Sequence, residues 1–294
     1  MNSPAKSPPR KSVGWFVGQQ FRAMGAFHHE LAHGIWHRIL LRSGAKRFCS
    51  LYNARARSKG LDLRVSIDPE TQRCTVASKT VCVEVHPYQR ATNYARGIEA
   101  RAITLGEDYL LPLVAFADGD VVIDCGANVG DFKLYFRQLG IDVEYVGIEP
   151  GPGEFEALRR NVAPSAVHNV GLWNEDGELT FYISSKGADS SLIEPPSYDS
   201  VSKVPIRRLD TLVDYPRIKL LKIEAEGAEP EALEGSQGLL DRIEYITADL
   251  GAERGVAQES TLAPVTNFLL RNGFELVALN QRRLAVLYRN TALR

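Results

Sequence analysis

The stretch Val-Ile-Asp-Cys-Gly-Ala-Asn-Val-Gly, residues 122–130, decides the fold of this chain. A short apolar run, Val121–Asp124, ends in an acid, and a helical pattern begins at Phe132–Leu139. The two glycines of the turn remove side chains where backbone must approach a ligand, and the asparagine between them tolerates left-handed backbone angles. In a parallel α/β sheet, ligands bind beyond the carboxyl ends of the strands. We therefore expect a strand, a helix and a ligand-binding turn whose contact residues are Gly126, Asn128 and Gly130.

Strands and helices alternate downstream of this stretch. The further predicted strands are Glu144–Ile148, Val167–Leu172, Ile218–Ile223, Ile243–Ala248, Phe274–Leu279 and Leu284–Tyr288. The further predicted helices are Glu154–Asn161, Pro230–Leu240 and Leu262–Asn272. Residues 173–213 form an insertion with two strand-like pieces, Leu179–Ile183 and Val204–Arg207. This alternation is typical of βαβ units and predicts an α/β fold with a mostly parallel sheet.

Two smaller parts precede the alternating region. Residues 61–86 contain two runs in which valine, leucine or isoleucine alternates with other residues, which predicts a small antiparallel β-hairpin unit. Residues 98–117 are predicted to form a lead-in helix. We expect a basic amino-terminal extension over residues 1–60, the hairpin unit and lead-in helix over 61–117, and the main domain over 118–290.

The charge of the chain is divided unevenly. Residues 1–60 carry eleven Lys or Arg and one acid, a net charge of +10, whereas the whole chain carries −1. An apolar stripe at helical spacing runs through this extension, at Met24, Phe27, Leu31, Ile35 and Ile39. A basic amphipathic helix can lie in the interface of an anionic membrane, so peripheral membrane contact through residues 13–47 is one interpretation. Packing of the stripe on the main domain and an organelle transit peptide are the alternatives. Nucleic-acid binding is not expected, because no such module accompanies the charge.

The four cysteines form no CxxC pair and favour neither a disulfide framework nor a zinc ribbon. A reducing compartment is the simplest interpretation. The chain has no uninterrupted apolar run of about 18 residues, so no transmembrane helix is expected. We predict a cytoplasmic protein, and peripheral contact with a membrane is the alternative.

The predicted cofactor site is acidic. A dinucleotide site needs GxGxxG, but the second and third glycines of that pattern fall on Asn128 and Asp131. A pyrophosphate would be repelled by Asp124 and Asp131, whereas the cationic S-adenosylmethionine suits such a turn. Glu149 follows the strand Glu144–Ile148 and can accept hydrogen bonds from both ribose hydroxyls. The predicted cofactor is therefore S-adenosylmethionine. A nicotinamide cofactor, and with it an oxidoreductase activity, is a weaker alternative.

Carboxylates follow the next two strands. Glu224 and Glu226 come after Ile218–Ile223, and Asp249 comes after Ile243–Ala248. A neutral alcohol is a poor nucleophile, so one of these groups could accept its proton during methyl transfer. Clustering should raise their pKa values, which suits a base. Asp and Glu oxygens could equally hold a divalent metal, although we assign no metal here. Lys222 could pair with one of the acids, and Glu229 could serve only the dipole of the following helix.

With these residues, the chain resembles the FkbM family of methyltransferases over about residues 118–290. The matching pieces are Asp124-x-Gly-Ala-Asn-x-Gly-Asp131, Glu149-Pro150 with Asn161, Ser190-Ser191-Leu192, Arg208–Leu212 and Leu221–Glu229. The resemblance implies a seven-stranded Rossmann-like sheet, S-adenosylmethionine, and O-methylation of a hydroxyl on a sugar, glycan, polyketide or similar metabolite. It also implies that Pro150 and Asn161 belong to the cofactor site. A non-catalytic relative that binds a glycan or partner is the alternative, which the retained acids disfavour. Glu224 stands where the family usually has Asp, and Asp249 where Glu is frequent, so the identity of the base stays open.

A second motif, His29-Glu-Leu-Ala-His33, matches the HExxH pattern of zinc proteases. The longer form of the pattern fails, because its glycine falls on Trp36 and its third histidine on Ile39. Four of the six histidines crowd this segment, which favours a chance match. We expect no catalytic zinc there.

Overall fold

The computed structural model describes residues 36–184 and 190–293. The chain divides into two compact units, Met1–Leu51 and Tyr52–Arg294. Helix α1, Ala45–Ser58, spans that division. The HExxH motif and all of the apolar stripe except Ile39 lie outside the described residues. Within the described ranges, no helix is long and apolar enough to cross a membrane.

The predicted hairpin unit is a three-stranded antiparallel sheet. Its strands are β1, Arg64–Ile67, β2, Cys74–Ala77, and β3, Cys82–Val85, in that order. The carboxylate of Asp68 accepts a hydrogen bond from the Thr71 amide at 2.7 Å and closes the turn between β1 and β2. The two-stranded prediction was wrong in number. Strand β2, Cys-Thr-Val-Ala, contains one valine and no leucine or isoleucine, so it shows no clear alternation.

The lead-in helix is shorter than predicted. Helix α2 covers Ile98–Asp108, and a 3₁₀ turn follows at Leu111–Leu113. Leu110 adopts a left-handed conformation, with φ of 63°, and Pro112 follows it within the turn. A left-handed residue and a proline both interrupt an α-helix, so the helix cannot continue to residue 117.

Strands and helices then alternate over the remainder of the described chain. The strands are β4, Val121–Cys125; β5, Glu144–Ile148; β6, Ala166–His168; β7, Gly171–Leu172; β8, Gly177–Ile183; β9, Ser200–Arg207; β10, Ile218–Ile223; β11, Ile243–Asp249; β12, Ala252–Arg254; β13, Glu259–Ser260; β14, Phe274–Asn280; and β15, Ala285–Asn290. The α-helices are α3, Lys133–Leu139; α4, Pro152–Asn161; α5, Leu209–Leu212; α6, Glu229–Glu234; and α7, Leu262–Arg271.

The central sheet has seven strands in the order β14-β15-β11-β10-β4-β5-β6. Strands β4, β5, β6, β10 and β11 run parallel, and β15 pairs antiparallel with both β11 and β14. The order reverses beside β4, so a crevice opens at the carboxyl ends of β4 and β10, where such sheets bind ligands. The central sheet is therefore the seven-stranded, mostly parallel Rossmann-like sheet that the family resemblance implies.

Two predicted elements differ in detail, and one pair of strands was not predicted. The strand expected at Val167–Leu172 is two strands: β6 joins the central sheet, whereas β7 joins a separate sheet of order β7-β9-β8. The helix expected at Pro230–Leu240 ends at Glu234 and gives way to a 3₁₀ helix, Gln237–Arg242. The β12-β13 pair was not predicted, because its two strands are short and largely exposed.

The central sheet is buried on both faces. Val121, Ile123 and Cys125 of β4 pack in one core, together with Leu221 and Ile223 of β10. The intervening Val122 and Leu220 face a second core with the aromatic side chains of Tyr109, Phe132 and Phe136. Because side chains alternate along a strand, Asp124 and Lys222 point to the same face as Val122 and Leu220. The second core therefore carries the charged residues of the site at its edge.

Candidate functional site

Strand register brings the first pair of charges together. In the parallel ladder of β10 and β4, Lys222 stands opposite Asp124. The Lys222 Nζ lies 2.9 Å from the Asp124 carboxylate and 3.0 Å from that of Glu224, two residues further along the same face. Tyr145 donates its hydroxyl to the second Asp124 oxygen at 2.5 Å. Asp124 is fully buried and is held by these two neighbours.

Lys222 links the two strands to the glycine-rich turn. Its Nζ also donates to the carbonyl oxygens of Cys125 and Gly126, at 3.2 and 2.9 Å, and lies 5.3 Å from the centre of the Tyr109 ring. Burial alone would lower the pKa of Lys222, but the charges of Asp124 and Glu224 raise it. The residue is thus a charged, fully engaged anchor. The prediction that Lys222 pairs with one of the acids that follow β10 and β11 is confirmed for Glu224, and Asp124 is a further partner that was not predicted.

The two glycines of the turn are required by protein packing. A Cβ on Gly126 would lie 1.9 Å from the carbonyl oxygen of Glu224, and φ at Gly126 is +70°. A Cβ on Gly130 would lie 2.5 Å from the Val162 side chain and 2.8 Å from that of Leu158. The close approaches that exclude a side chain are therefore to β10 and α4. Ligand approach, the reason expected from the sequence, is not needed to explain either glycine.

Asn128 and Glu149 form the polar centre of the turn. Asn128 has φ of 48°, the left-handed conformation that the sequence predicts. Its amide donates to Glu149 Oε2 at 2.8 Å, and the Gly151 amide donates to Oε1 at 2.7 Å. Burial, followed by the neighbouring charge of Glu154, raises the pKa of Glu149 to about 7. Each Glu149 oxygen keeps a further acceptor position, which two ribose hydroxyls could use.

Asn161 is engaged with the protein on both sides of its amide. Its Oδ1 accepts the Glu84 amide at 2.8 Å, and its Nδ2 donates to the carbonyl oxygens of Glu84 and Val129, at 2.8 and 2.7 Å. Pro150 lies beside Glu149, and its carbonyl accepts a 3.1 Å hydrogen bond from Asn169. Asn161 therefore positions the turn through Val129. The structure gives it no remaining amide atom without a partner.

The acidic turn is largely neutralised by its surroundings. Asp131 accepts a 2.8 Å hydrogen bond from Arg101 Nε, and Tyr94 lies 3.4 Å from the same oxygen. Although burial opposes it, the charge of Arg101 lowers the pKa of Asp131. Because Asp124 is paired with Lys222 and Asp131 with Arg101, the attraction of the turn for a cationic ligand is weaker than the sequence suggested.

Glu224 lies between two cations. One oxygen faces Lys222, and the other contacts the Arg283 guanidinium. Burial opposes ionisation, but these charges hold the pKa of Glu224 well below its usual range. The expectation that clustering raises the pKa of every acid here was wrong for Glu224, because the cations were not considered. Such a carboxylate is a weak base, so Glu224 serves better as an anchor than as a proton acceptor.

The pKa of Asp249 is raised, in contrast to that of Glu224. Asp249 is 3% exposed, and burial raises its pKa, although Arg283 Nε donates to its Oδ2 at 2.6 Å. Its Oδ1 accepts only a 3.3 Å hydrogen bond from the Gly251 amide. Arg283 also donates to the Tyr109 hydroxyl at 3.0 Å. This arginine, in the turn before β15, was missed by the sequence analysis because nothing in its local pattern marks it.

Glu253 is a second residue that sequence reasoning missed. A Cβ placed on Gly251 would lie 3.4 Å from Glu253 Oε1 and 3.5 Å from Asp249 Oδ1, so the two carboxylates border the same space. Burial and then the charges of Asp249, Glu224 and Glu229 raise the pKa of Glu253 to about 8. The residue comes from β12, which the sequence did not predict.

Glu226 and Glu229 have different surroundings. Glu226 lies in the loop after β10 with φ of 50°, and its carbonyl accepts a 2.8 Å hydrogen bond from Ser191 Oγ. Glu229 is buried, and it accepts hydrogen bonds from the amides of Ala225 and Gly227 and from the Thr261 hydroxyl. Glu229 therefore closes the loop that presents Glu226. Its role goes beyond an interaction with the helix dipole.

Metal binding receives no support from the geometry. Over residues 36–184 and 190–293, no three or more His, Cys, Asp or Glu side chains are grouped so that they could hold a metal ion. The acids at the carboxyl ends of β10 and β11 are instead engaged with Lys222 and Arg283.

Comparison with known proteins identifies the chemistry. The model of the FkbM methyltransferase domain matches residues 124–276, just over half of the chain. The chain belongs to the FkbM methyltransferase family. Methyltransferase 1 of Beauveria bassiana is 28% identical over 177 residues, which are 50% of this chain and 71% of that protein. The Streptomyces tacrolimicus protein named 31-O-demethyl-FK506 methyltransferase FkbM is 26% identical over 60% of this chain and 81% of its own length.

Two solved structures align with much of the chain at low identity. The N-terminal domain of human METTL16 in complex with SAH aligns with 84% of this FkbM-family chain and 95% of its own, at 14% identity and a TM-score of 0.41. A TehB-like SAM-dependent methyltransferase from Corynebacterium glutamicum aligns with 69% and 95%, at 13% identity and a TM-score of 0.39.

The cofactor of this methyltransferase is S-adenosylmethionine, and the described residues fit it. Asn128 Oδ1 is buried without a hydrogen-bond partner among the described residues, which is expected where a ligand donor is absent. Glu149 keeps acceptor positions for ribose hydroxyls. S-adenosylmethionine would supply an electrophilic methyl group at its sulfonium.

Proposed function

We propose that this methyltransferase methylates a hydroxyl oxygen of a small molecule, such as a sugar, glycan, polyketide or similar metabolite. The observation that carries the proposal is the Asp249–Glu253 carboxylate pair at the carboxyl end of β11. Both pKa values are raised by burial, and that of Glu253 reaches about 8. An alcohol needs a proton acceptor whose pKa lies near the working pH, whereas many amine acceptors are nucleophilic once neutral.

The residues divide the work as follows. Glu149 and Asn128 hold the ribose and amino-acid parts of the cofactor, and Asp124, Gly126, Gly130, Pro150 and Asn161 shape the turn that carries them. Asp249 or Glu253 accepts the proton of the acceptor hydroxyl as its oxygen bonds to the methyl carbon and the carbon–sulfur bond breaks. The products are a methyl ether, the neutral thioether and a protonated carboxyl group. Alignment of the two reactants supplies much of the remaining rate.

Arg283 positions Asp249. It donates to Asp249 Oδ2, contacts Glu224 and reaches the Tyr109 hydroxyl, so it fixes the direction in which Asp249 Oδ1 points. With Oδ2 occupied, Oδ1 is the Asp249 oxygen best placed to meet an acceptor. Glu226, at the loop held by Ser191 and Glu229, remains a candidate for contact with the acceptor.

One relative supports an oxygen acceptor. The Streptomyces tacrolimicus protein is named for methyl transfer to the 31-O position of a demethylated FK506. That identity is 26%, so the acceptor of the present chain is inferred as a class, a hydroxylated small molecule, and not as that compound.

The test uses S-adenosylmethionine with a ¹³C-labelled methyl group and panels of sugars, glycolipids and polyketides. Heteronuclear NMR separates methoxy carbons from N-methyl and C-methyl carbons by chemical shift. We expect a labelled methoxy product whose formation is strongly slowed in Asp249→Asn. Labelled N-methyl or C-methyl products alone would refute an oxygen acceptor.

We further propose that the basic extension docks the enzyme on an anionic membrane. Arg38, Arg42, Lys46 and Arg47 are exposed, as are the apolar Ile39 and Leu41 at 45% and 38%. Basic residues near such a surface contribute about 1 kcal/mol each, and salt weakens them. The full chain should co-sediment with phosphatidylserine vesicles at low salt, and replacement of the four basic residues by glutamine should reduce this. Equal sedimentation of both proteins would overturn the proposal and favour packing of the extension on the main domain.

A further inference from the structure

Buried polar atoms without partners collect around the glycine-rich turn. In the described part of the chain, such side-chain atoms include Gln89 Oε1, Arg90 Nε and Asn128 Oδ1. Natural proteins seldom leave buried donors and acceptors unsatisfied, so a group of them marks a place where a ligand completes the hydrogen bonds. Gln89 and Arg90 belong to a 3₁₀ helix, Tyr88–Tyr94, that precedes the region matched by the family.

This 3₁₀ helix lies against the turn. Its last residue, Tyr94, is buried, and its hydroxyl lies 3.4 Å from the carboxylate of Asp131, directly after Gly130. The charge of Arg90 contributes to lowering the pKa of both Asp131 and Tyr94. The Arg90 guanidinium therefore lies close enough to interact electrostatically with the turn, near Asp131, which precedes α3.

Arg90 differs from the other cations around the site. Lys222 pairs with Asp124 and Glu224, Arg101 with Asp131, and Arg283 with Asp249 and Glu224. Among the described residues, no carboxylate forms an ion pair with Arg90, and its Nε has no acceptor. Arg90 could therefore form an ion pair with an anionic ligand group that binds beside the glycine-rich turn.

S-adenosylmethionine has one anionic group, the carboxylate of its methionine part. If Glu149 holds the ribose and the methyl group faces Asp249, the amino-acid end would lie along the turn near Asn128. We propose that Arg90 binds this carboxylate, and that Asn128 Oδ1 and Gln89 Oε1 accept hydrogen bonds from the adjacent ammonium group. A buried donor and two buried acceptors match the two charges of an amino acid. The inference rests on the cofactor and not on the proposed acceptor.

The test compares two ligands by calorimetry. S-adenosylhomocysteine has the carboxylate, whereas S-adenosyl-3-thiopropylamine has the amine and lacks it. A charge-assisted hydrogen bond contributes about 1.5–3 kcal/mol, so Arg90→Met should weaken S-adenosylhomocysteine about 10- to 100-fold. The variant should weaken the decarboxylated ligand less than about threefold. Arg96→Ala, an exposed arginine in the same segment, is the matched control and should leave both affinities unchanged.

Equal weakening of the two ligands would overturn the proposal, since Arg90 would then only support the turn. An unchanged affinity for S-adenosylhomocysteine would overturn it as well. A measurement on the unaltered protein covers the case in which Arg90→Met does not fold. Phenylglyoxal should modify Arg90, and S-adenosylhomocysteine, but not the decarboxylated ligand, should protect it in peptide mass spectra. Equal protection by both ligands, or by neither, would contradict the assignment.

Discussion

Lys222 and Asp124 face each other across the β10–β4 ladder, and the 2.9 Å ion pair between them is almost completely buried. The first prediction is that Lys222→Met lowers the free energy of unfolding by about 3–5 kcal/mol, because Asp124 is left charged in a buried site. Chemical denaturation measures it. Asp124→Asn in the same chain should recover part of the loss, since it removes the uncompensated charge.

Lys219→Met is the matched control for this substitution. Lys219 lies on the same strand and pairs with Glu244 at 2.8 Å, but its side chain is 15% exposed rather than 3%. We expect a loss of about 1 kcal/mol or less, as for other ion pairs that water can reach. Equal losses at both positions would contradict the central role given to Lys222.

The second prediction concerns steric contact at the turn. Gly126→Ala should be strongly destabilising, because its Cβ would meet the Glu224 carbonyl oxygen at 1.9 Å. Gly140→Ala has the same φ, +70°, and nothing within 4 Å of the new Cβ, so it reports the cost of the backbone conformation alone. That cost is about 1–2 kcal/mol. The melting temperature of Gly126→Ala should be clearly lower than that of Gly140→Ala. Similar melting temperatures would show that the contact with the Glu224 carbonyl can relax.

The third prediction is a pH dependence of cofactor binding. Glu149 has a pKa of about 7 in the free protein, and its ionised form is the better acceptor for two hydroxyls. Binding should therefore release a proton, and the affinity for S-adenosylhomocysteine should fall about tenfold per pH unit below pH 7. Calorimetry in buffers of different ionisation enthalpy measures both effects.

Two variants check the assignment to Glu149. Glu149→Gln should weaken binding by about 1–3 kcal/mol and remove the pH dependence. Glu154→Gln should keep the dependence but shift its midpoint to lower pH, because the charge of Glu154 is the second cause of the raised pKa. A midpoint that persists in Glu149→Gln would assign the titration to another group.

The fourth prediction concerns turnover. If Glu253 must be ionised, the rate should rise with pH and level off above about pH 8, its pKa in the free protein. Glu253→Gln should remove this rising limb and lower turnover by about 10²–10⁴-fold while cofactor affinity stays nearly unchanged. Single-turnover kinetics over a pH series measure it, and Glu259→Gln, an exposed acid on the neighbouring β13, is the control.

Asp249→Asn and Glu226→Gln complete the assignment of the proton acceptor. If Asp249 is the proton acceptor, Asp249→Asn will lower turnover at every pH. The rise of the rate with pH up to about pH 8 will then persist at a lower rate. Wild-type rates in Asp249→Asn, Glu226→Gln and Glu253→Gln alike would place the base elsewhere in the site.

The sequence predicted the parts of this fold that are buried on both faces. Strands β5 and β10 have the bounds expected for them, because continuous apolar runs are typical of parallel strands covered by helices. The short elements β2, β12 and β13 were missed, since each contains at most one valine, leucine or isoleucine and so shows no clear alternation. Glu253 lies on β12, so it was not identified because that strand was not predicted.

The site residues show a second limit. The positions of Asp124, Glu149 and Glu224 follow from strand ends, which sequence reveals. Their ionisation depends on neighbours that are distant along the chain: Lys222 and Tyr145 for Asp124, Arg283 for Glu224 and Asp249. A pattern of residues gives no distance between them, so neither the lowered pKa of Glu224 nor the role of Arg283 could be predicted.

The contacts of Asn161 have a practical consequence for anyone who truncates this protein. Its amide joins the Val129 carbonyl to the backbone of Glu84, and the neighbouring Arg160 contacts the Glu84 carboxylate at 2.6 Å. Arg101 likewise lies upstream of the matched family region and holds Asp131. A fragment cut at the start of that region would expose unpaired polar groups at the turn that carries the cofactor. The smallest piece worth expressing therefore begins before β1, because the sequence that defines the family is shorter than the sequence that folds.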